Sequence, residues 1–122
     1  QKLFSKVTRE PQPSGVFYSA VKTAPLARRR NFDADFVFRD QGRLISGASR
    51  PGVFSHRRLD VGARALINVM EIHPKMRVLD LGCGTGAVGL AAALRQPEAE
   101  VLATDSCPRA VQCAELGAIR NG

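Results

Sequence analysis

Residues 78–86 read Val-Leu-Asp-Leu-Gly-Cys-Gly-Thr-Gly, and this stretch decides the fold. Its first half is apolar except for Asp80, which is typical of a short buried strand. Three glycines at alternate positions then predict a tight loop, and the Ala- and Leu-rich residues 87–95 predict a buried helix. A strand, a glycine loop and a helix in this order favour a ligand at the helix N-terminus, where backbone N–H groups are free.

A second unit of strand and helix follows. Residues 101–105 are a short apolar strand ending in Asp105, and Pro108 begins a helix that extends to about residue 120. Strands that alternate with helices predict a parallel sheet, whose ligands bind at the carboxyl ends of the strands. Asp80 suits an ammonium group there, and Asp105 suits the two hydroxyls of a ribose. The pair predicts a nucleoside cofactor of the S-adenosylmethionine type.

Two other interpretations of the glycine loop stay open. Residues 84–89 read Gly-Thr-Gly-Ala-Val-Gly, the spacing of a dinucleotide-binding loop, and Asp105 lies 21 residues after Gly84. A pyrophosphate, however, would be repelled by the carboxylate of Asp80. The other alternative is a tight glycine turn that binds no ligand.

Composition is that of a soluble globular protein with one strongly basic half. The chain has 122 residues, 44% of them hydrophobic and 24% charged, and no apolar run approaches the ~20 residues that span a bilayer. Its three cysteines lack CxxC spacing, so we expect no metal site and reduced thiols in a cytoplasmic protein. Of the net charge of +7, residues 1–64 carry +8 and residues 65–122 carry −1. A basic N-terminal half predicts an anionic partner, with RNA the first candidate.

The residues before the glycine loop predict a small β-rich segment. Residues 1–15 contain prolines and glycine and are expected to be a loose lead-in to a strand at residues 16–21. Residues 32–39 alternate apolar and polar side chains apart from Val37, which stands at a polar position. Residues 43–46 return after a turn at residues 40–42, which predicts a hairpin. The alternation favours core packing of three aromatic side chains, Phe32, Phe36 and Phe38.

A helix is predicted between this hairpin and the glycine loop. Asp60 is a suitable N-cap for residues 61–72, whose apolar positions have helical spacing at Ala65, Leu66, Val69 and Ile72. We therefore divide the chain into a basic β-rich segment, residues 1–50, and the N-terminal half of a cofactor-binding domain, residues 51–122. Two parallel strands are too few for a stable sheet, so we expect either that the sequence is a fragment of a larger protein or that its missing strands come from elsewhere.

The segments around the glycine loop resemble a known family. Residues 78–90 and 101–105 are similar to the two cofactor-binding motifs of class I S-adenosylmethionine-dependent methyltransferases, which implies an incomplete α/β, Rossmann-like fold. Residues 51–55, Pro-Gly-Val-Phe-Ser, and residues 59–62, Leu-Asp-Val-Gly, are similar to the preceding segment of the methyltransferase small domain family. That family includes bacterial rRNA guanine-N2 methyltransferases. The resemblance covers about residues 34–122 and implies S-adenosylmethionine as cofactor.

The resemblance also implies a role for each matching residue. Asp80 would hold the methionine part of the cofactor, and Asp105 would bind the ribose diol. The loop would surround the methionine part with Gly82, Cys83, Gly84, Thr85 and Gly86. The residues after the second strand would lie near the adenine, namely Ser106 and Cys107. Three residues upstream would lie beside the methyl end or cover it: Phe54, Ser55 and Asp60.

One part of the family pattern is absent. Family members carry an Asn-Pro-Pro-aromatic motif after the fourth strand, which grips the amine to be methylated, and this sequence has no Asn-Pro pair. We therefore name no catalytic residue and expect the chain alone to be inactive. The activity implied for the parent protein is methylation of the exocyclic amine of guanine in rRNA. Methylation of tRNA adenine, of protein glutamine or of a small molecule stays open, because the motif that separates these substrates is missing.

An alternative from a different functional class is a non-catalytic RNA-binding module that keeps a relic cofactor fold. Under either interpretation we expect RNA as the partner and neither a metal nor a membrane. Arginines are the residues that most often contact RNA phosphates. The candidates for such contacts are Arg28, Arg29, Arg30, Arg57 and Arg58.

Overall fold

The computed structural model describes residues 4–25 and 31–122, which fall into two compact units, Gln1–Asn31 and Phe32–Gly122. The predicted boundary after residue 50 therefore lies inside the second unit. The reason is that the hairpin at residues 34–49 packs against the last helix of the chain and belongs to its core.

The first unit is an antiparallel hairpin. Strand β1 (Phe4–Gln12) pairs with β2 (Gly15–Lys22), and every residue of both strands is exposed. The predicted strand at residues 16–21 is confirmed, but the loose lead-in expected at residues 1–15 is wrong. Pro11 and Pro13 are compatible with the hairpin because Pro11 is at the end of a two-stranded ribbon and Pro13 is in its turn.

The second unit opens with the predicted hairpin, strands β3 (Ala34–Asp40) and β4 (Arg43–Ser49). Alternation along β3 buries Phe36 and Phe38, whose ring centroids are 6.2 Å apart. Phe32 precedes the strand and is half-exposed, so its predicted core packing is wrong.

A helix, two parallel strands and two more helices complete this unit. They are α1 (Val61–Val69), β5 (Arg77–Leu81), α2 (Ala87–Arg95), β6 (Glu100–Thr104) and α3 (Pro108–Asn121). Strands β5 and β6 pair in parallel, with Val78 opposite Val101. Asn121 fixes α3 to β4, because its side-chain Nδ2 donates to the Ser46 carbonyl at 2.8 Å and its Oδ1 accepts from the Ser46 N–H at 3.0 Å.

Helix α1 buries a different face from the one predicted and ends at Val69 rather than residue 72. Ile67 is fully buried, whereas Leu66 and Val69 are exposed. The difference arises because Arg64 lies on the inner face, with its guanidinium carbon 5.7 Å from the centroid of the Phe38 ring. A long side chain can cover a ring with its stem and still keep its charge near water, which an apolar periodicity does not detect.

An ion pair between Asp40 of β3 and Arg95 of α2 lies at the C-terminal end of α1 and joins these three elements. Arg95 donates to both carboxylate oxygens of Asp40 at 2.8 Å, and it also donates to the carbonyls of Ile67 and Met70 at 2.7 and 2.9 Å. The guanidinium therefore satisfies terminal carbonyls of α1 that lack intrahelical partners. Its hydrogen bonds hold the pKa of Asp40 below the usual value.

The parallel strands are covered on one face only. Val78, Val101 and Ala103 are half-buried on the side of α2 and α3, whereas Leu79, Leu81 and Leu102 are exposed. The prediction that both strands are fully buried is therefore wrong, because the leucine side chains on the second face are exposed. No helix among the described residues is long and apolar enough to cross a membrane.

Candidate cofactor site

The carboxyl ends of β5 and β6 bring two carboxylates to the glycine loop, as predicted. Asp80 is the fourth residue of β5, and Asp105 directly follows β6. The loop begins by continuing the strand pairing, since the amides of Gly82 and Cys83 both donate to the Thr104 carbonyl, at 2.8 and 2.9 Å. Asp80 and Asp105 both line one cavity of about 430 Å³.

Asp105 is held by the backbone of two loops. Its Oδ2 accepts from the Gly84 N–H at 2.8 Å, and its Oδ1 accepts from the Cys107 N–H at 2.8 Å. These hydrogen bonds stabilise the charged form and lower the pKa of Asp105. Each carboxylate oxygen has a second lone pair, so an ionised Asp105 can still accept from two further hydroxyl groups.

Asp80 has the opposite electrostatic environment. Burial raises its pKa, the nearby charge of Asp105 raises it further, and one hydrogen bond from the Gly89 N–H to Oδ2, at 2.9 Å, opposes both effects. Gly86, the N-cap of α2, has no side chain to bond the first turn, so the strand carboxylate performs the capping function from outside the helix. A cation next to Asp80 would relieve the cost of its negative charge.

The glycine loop divides its residues between the cavity and the core. Gly82, Cys83, Gly84 and Thr85 line the cavity, but Gly86 does not. Gly86 has φ +77°, and a Cβ placed there would lie 2.6 Å from the Cβ of Ala114 in α3. Glycine at this position therefore allows the loop to pack closely on α3. At Gly84, with φ +55°, an added Cβ would meet nothing within 4 Å.

The thiol of Cys83 is unsuited to be a nucleophile. The side chain is buried, and burial together with the charges of Asp80 and Asp105 raises its pKa above the ordinary value. A thiolate is the reactive form, so this environment disfavours reaction. The space-filling role predicted from the sequence agrees with this geometry.

The segment before α1, residues 50–60, forms one wall of the cavity. Phe54, Ser55 and Asp60 all line it. Their position beside the methyl end of a cofactor stays a prediction. Asp60 caps α1 by accepting from the Ala63 N–H at 3.1 Å. Ser55 and Arg57 have φ values of +56° and +69°, in the left-handed region that side chains rarely adopt.

Hydrogen bonds hold this strained segment in place. The Ser49 hydroxyl accepts from the Arg57 N–H at 2.9 Å and bonds the Nδ1 of His56 at 2.5 Å. The Ser55 hydroxyl donates to the Arg58 carbonyl at 3.0 Å, and Arg109 donates to the Pro51 carbonyl. His56 is thus a structural residue of the segment.

Several predicted residues lie elsewhere, and several lining residues were missed. Ser106 is exposed and does not line the cavity, whereas Cys107 does. Arg57 and Arg58 are exposed on residues 50–60. The arginines at positions 28–30 lie outside the described residues. Apolar residues that the sequence reading did not identify complete the walls: Leu59, Ala63, Leu66, Val88 and Ala110. Their apolar character is shared by ordinary core residues, so no sequence signal separates them.

Comparison with known proteins gives the family. The methyltransferase small domain profile matches residues 45–122. The chain belongs to this family. Its relatives include the ribosomal RNA small subunit methyltransferase C of Mannheimia succiniciproducens, 35% identical over 107 residues that cover 88% of this chain and 32% of that protein. The ribosomal RNA large subunit methyltransferase G of Aeromonas salmonicida is 42% identical over 80 residues, covering 66% of this chain and 21% of that protein.

A solved structure has the same fold. The T. thermophilus 16S rRNA N2 G1207 methyltransferase (RsmC), in complex with AdoMet and guanosine, matches with a TM-score of 0.83 and 22% identity over 98% of this chain and 33% of that one. The predicted fold class is thereby confirmed: an incomplete Rossmann-like α/β fold with a β-rich N-terminal segment. The chain spans about a third or less of the length of these relatives.

Proposed function

We propose that this chain is the cofactor-binding portion of an S-adenosylmethionine-dependent N-methyltransferase that modifies guanine in rRNA. One observation carries the proposal. Two carboxylates at the ends of adjacent parallel strands flank a glycine loop and face the same cavity. The family and the names of the relatives support methylation of rRNA, and the solved relative is described as an N2 methyltransferase of a guanosine in 16S rRNA.

The chemistry of the cavity fits the proposed cofactor. It is lined by three carboxylates, those of Asp60, Asp80 and Asp105, and by no basic side chain within the described residues. S-adenosylmethionine carries a sulfonium and an ammonium group, both cationic, whereas a dinucleotide carries an anionic pyrophosphate. The acidic lining therefore favours the former. The volume of about 430 Å³ is within the range of ~300–1,000 Å³ of small-molecule sites.

Two of these carboxylates, those of Asp105 and Asp80, have distinct proposed roles. Asp105, kept ionised by two backbone N–H groups, accepts from the ribose hydroxyls. Asp80, whose pKa is raised by burial, accepts from the ammonium group, which restores its charged form. Gly82 and Gly84 let the ligand approach the backbone because a side chain is missing on the cavity side.

The proposed reaction needs no covalent intermediate with the protein. The bound cofactor supplies an activated methyl group, and the chain contributes position and electrostatic complementarity. Cys83 is held as a thiol, so it takes no part as a nucleophile. An acceptor base in RNA has to leave its stack to reach the cavity.

RNA is the proposed partner because of charge. Residues 1–64 carry +8. The exposed Arg57 and Arg58 do not line the acidic cavity, but they follow Phe54 and Ser55, which do. Basic side chains outside the cavity can bind phosphates while the acidic interior takes the cationic cofactor. The arginines at positions 28–30 are proposed to contribute to the same contacts.

The test is methyl transfer by the whole gene product that contains these residues. We would incubate it with S-adenosylmethionine labelled in the methyl group and with unmodified ribosomal RNA, then digest the RNA and separate the nucleosides. Label in N2-methylguanosine is the expected result. Label in an adenosine derivative or in protein would contradict the guanine assignment. RNA binding that is unaffected by S-adenosylhomocysteine, with no label transferred, would favour the non-catalytic RNA-binding module.

A further inference from the structure

Phe54 is an exposed aromatic side chain in a segment whose backbone is fixed. It is 74% exposed, while its neighbour Val53 is only 5% exposed and anchors the segment in the core with Ala110 and Cys113. The Val53 N–H also donates to the Arg50 carbonyl at 3.1 Å. The exposure of Phe54 is therefore a property of an ordered turn.

The residues after Phe54 support that position. Ser55 and Arg57 adopt left-handed backbone conformations, and the Ser49, His56 and Arg57 hydrogen bonds maintain them. Strained backbone of this kind is concentrated at ligand-binding sites. The backbone is thus strained in a segment that presents an apolar ring to solvent.

The ring lies at the cavity and is unlike every other group there. Among the described residues that line the cavity, Phe54 is the one aromatic side chain. The rest of the lining is glycine, small or aliphatic residues and carboxylates, together with thiol and hydroxyl groups. Two exposed cations, Arg57 and Arg58, follow it in the same segment.

We propose that Phe54 stacks on the acceptor base of RNA, with Arg57 and Arg58 on the adjacent phosphates. This inference rests on the proposed function. Unstacked bases in RNA are held by aromatic side chains, and a base leaving its stack loses contacts that the ring can replace. An exposed ring beside two arginines matches a base followed by its phosphates. Phe54 is thus an acceptor-positioning residue.

The test separates base stacking from cofactor binding. The whole gene product that contains these residues is saturated with S-adenosylhomocysteine and titrated with a single-stranded RNA octamer that contains one 2-aminopurine. This fluorescent base has an amine at C2, and its emission falls on stacking. Phe54→Ala is expected to lower RNA affinity by about 5- to 150-fold, the range of one base–aromatic stack, and to abolish the quenching. S-adenosylhomocysteine affinity should fall by a smaller factor than RNA affinity, because the ring stacks on the base rather than on the bound cofactor.

Two variants serve as controls. Phe54→Trp keeps an aromatic face and should retain quenching, and Phe32→Ala removes another half-exposed ring that does not line the cavity. Loss of S-adenosylhomocysteine affinity in Phe54→Ala, with RNA affinity unchanged at saturation, would assign the ring to the cofactor and overturn the inference. Unchanged quenching would also overturn it. If the unmodified whole gene product binds S-adenosylhomocysteine but does not quench the RNA, this inference fails alone; if it binds no S-adenosylhomocysteine, the proposed function fails.

Discussion

The glycine loop allows a matched pair of substitutions, Gly86→Ala and Gly84→Ala. Both positions have left-handed backbone, with φ +77° and +55°. Alanine is strained in this conformation, which should lower the free energy of unfolding of both variants by about 1–2 kcal/mol. Only at Gly86 does the new Cβ also meet another element, at 2.6 Å from the Cβ and 2.8 Å from the Cα of Ala114. Overpacking of this kind costs about 1–3 kcal/mol. We therefore expect Gly86→Ala to cost about 2–5 kcal/mol and Gly84→Ala about 1–2 kcal/mol.

Thermal unfolding followed by circular dichroism of the helices measures the difference. One kcal/mol corresponds to about 4–8 °C in Tm for a domain of this size, so Gly86→Ala should melt lower than Gly84→Ala by about 4–24 °C. The substitution Ala114→Gly removes the opposing methyl group. It should recover part of the loss caused by Gly86→Ala, beyond what the two single variants predict together.

Equal Tm values for the two glycine variants would refute the packing argument. So would strict additivity of Gly86→Ala and Ala114→Gly, because additivity means that the two positions do not contact each other. For ligand binding we expect the order of the two variants to be reversed. The added methyl group of Gly84→Ala lies on the cavity side, so this milder variant should show the larger specific loss of S-adenosylhomocysteine affinity.

The remaining predictions concern the carboxylates. Asp40→Asn leaves the largely buried Arg95 without its anionic partner and should cost about 3–5 kcal/mol in urea unfolding. Asp35→Asn, which breaks the more exposed pair with Arg120, should cost under about 1 kcal/mol; equal costs would contradict the assignment. The pKa of Asp40 is lower in the folded protein than its unfolded value of 3.8. The ionised carboxylate therefore stabilises the fold fully above pH 3.8, and this contribution is lost as the pH falls through the folded pKa. Asp40→Asn should consequently lose less stability on acidification than the unmodified protein. The pKa of Asp80 is raised, and its ionised form is the one proposed to bind the ammonium group. S-adenosylhomocysteine affinity should therefore be constant above this pKa and should fall below it by up to about tenfold per pH unit. Calorimetry across pH should find this dependence absent in Asp80→Asn.

Local patterns predict the part of the fold that forms the site. The glycine spacing, the strand before it and Asp105 after the next strand follow from short-range rules, and the structure has β5, the loop and α2 where the pattern places them. The cavity combines Asp80 and Asp105 because parallel strands end at the same edge.

Long-range pairing accounts for what the sequence does not reveal. Asp40 precedes Gln-Gly and has the character of a turn residue, but it is buried against Arg95, 55 residues away. Arg64 has the character of a solvent-facing residue, yet it covers Phe38 and rotates the buried face of α1 to Ile67. Each depends on a partner that no local window contains.

The N-terminal hairpin is a third case. Pro11 and Pro13 are typical of a loop, but β1 pairs with β2 along most of its length. Proline is excluded from the centre of a sheet, not from the end of a two-stranded ribbon, so the composition of residues 1–15 does not decide between a loop and an edge.

The central claim is that the acidic cavity binds S-adenosylmethionine through Asp105. Calorimetry of S-adenosylhomocysteine binding to the whole gene product that contains these residues tests it, with the variants Asp105→Ala and Asp105→Asn and with the exposed Asp35→Asn as the control. We expect one site of micromolar affinity, unchanged in Asp35→Asn and weakened by about tenfold or more in both Asp105 variants, since hydrogen bonds to a charged group are lost. No binding, or equal affinity in the control and both Asp105 variants, would contradict the account.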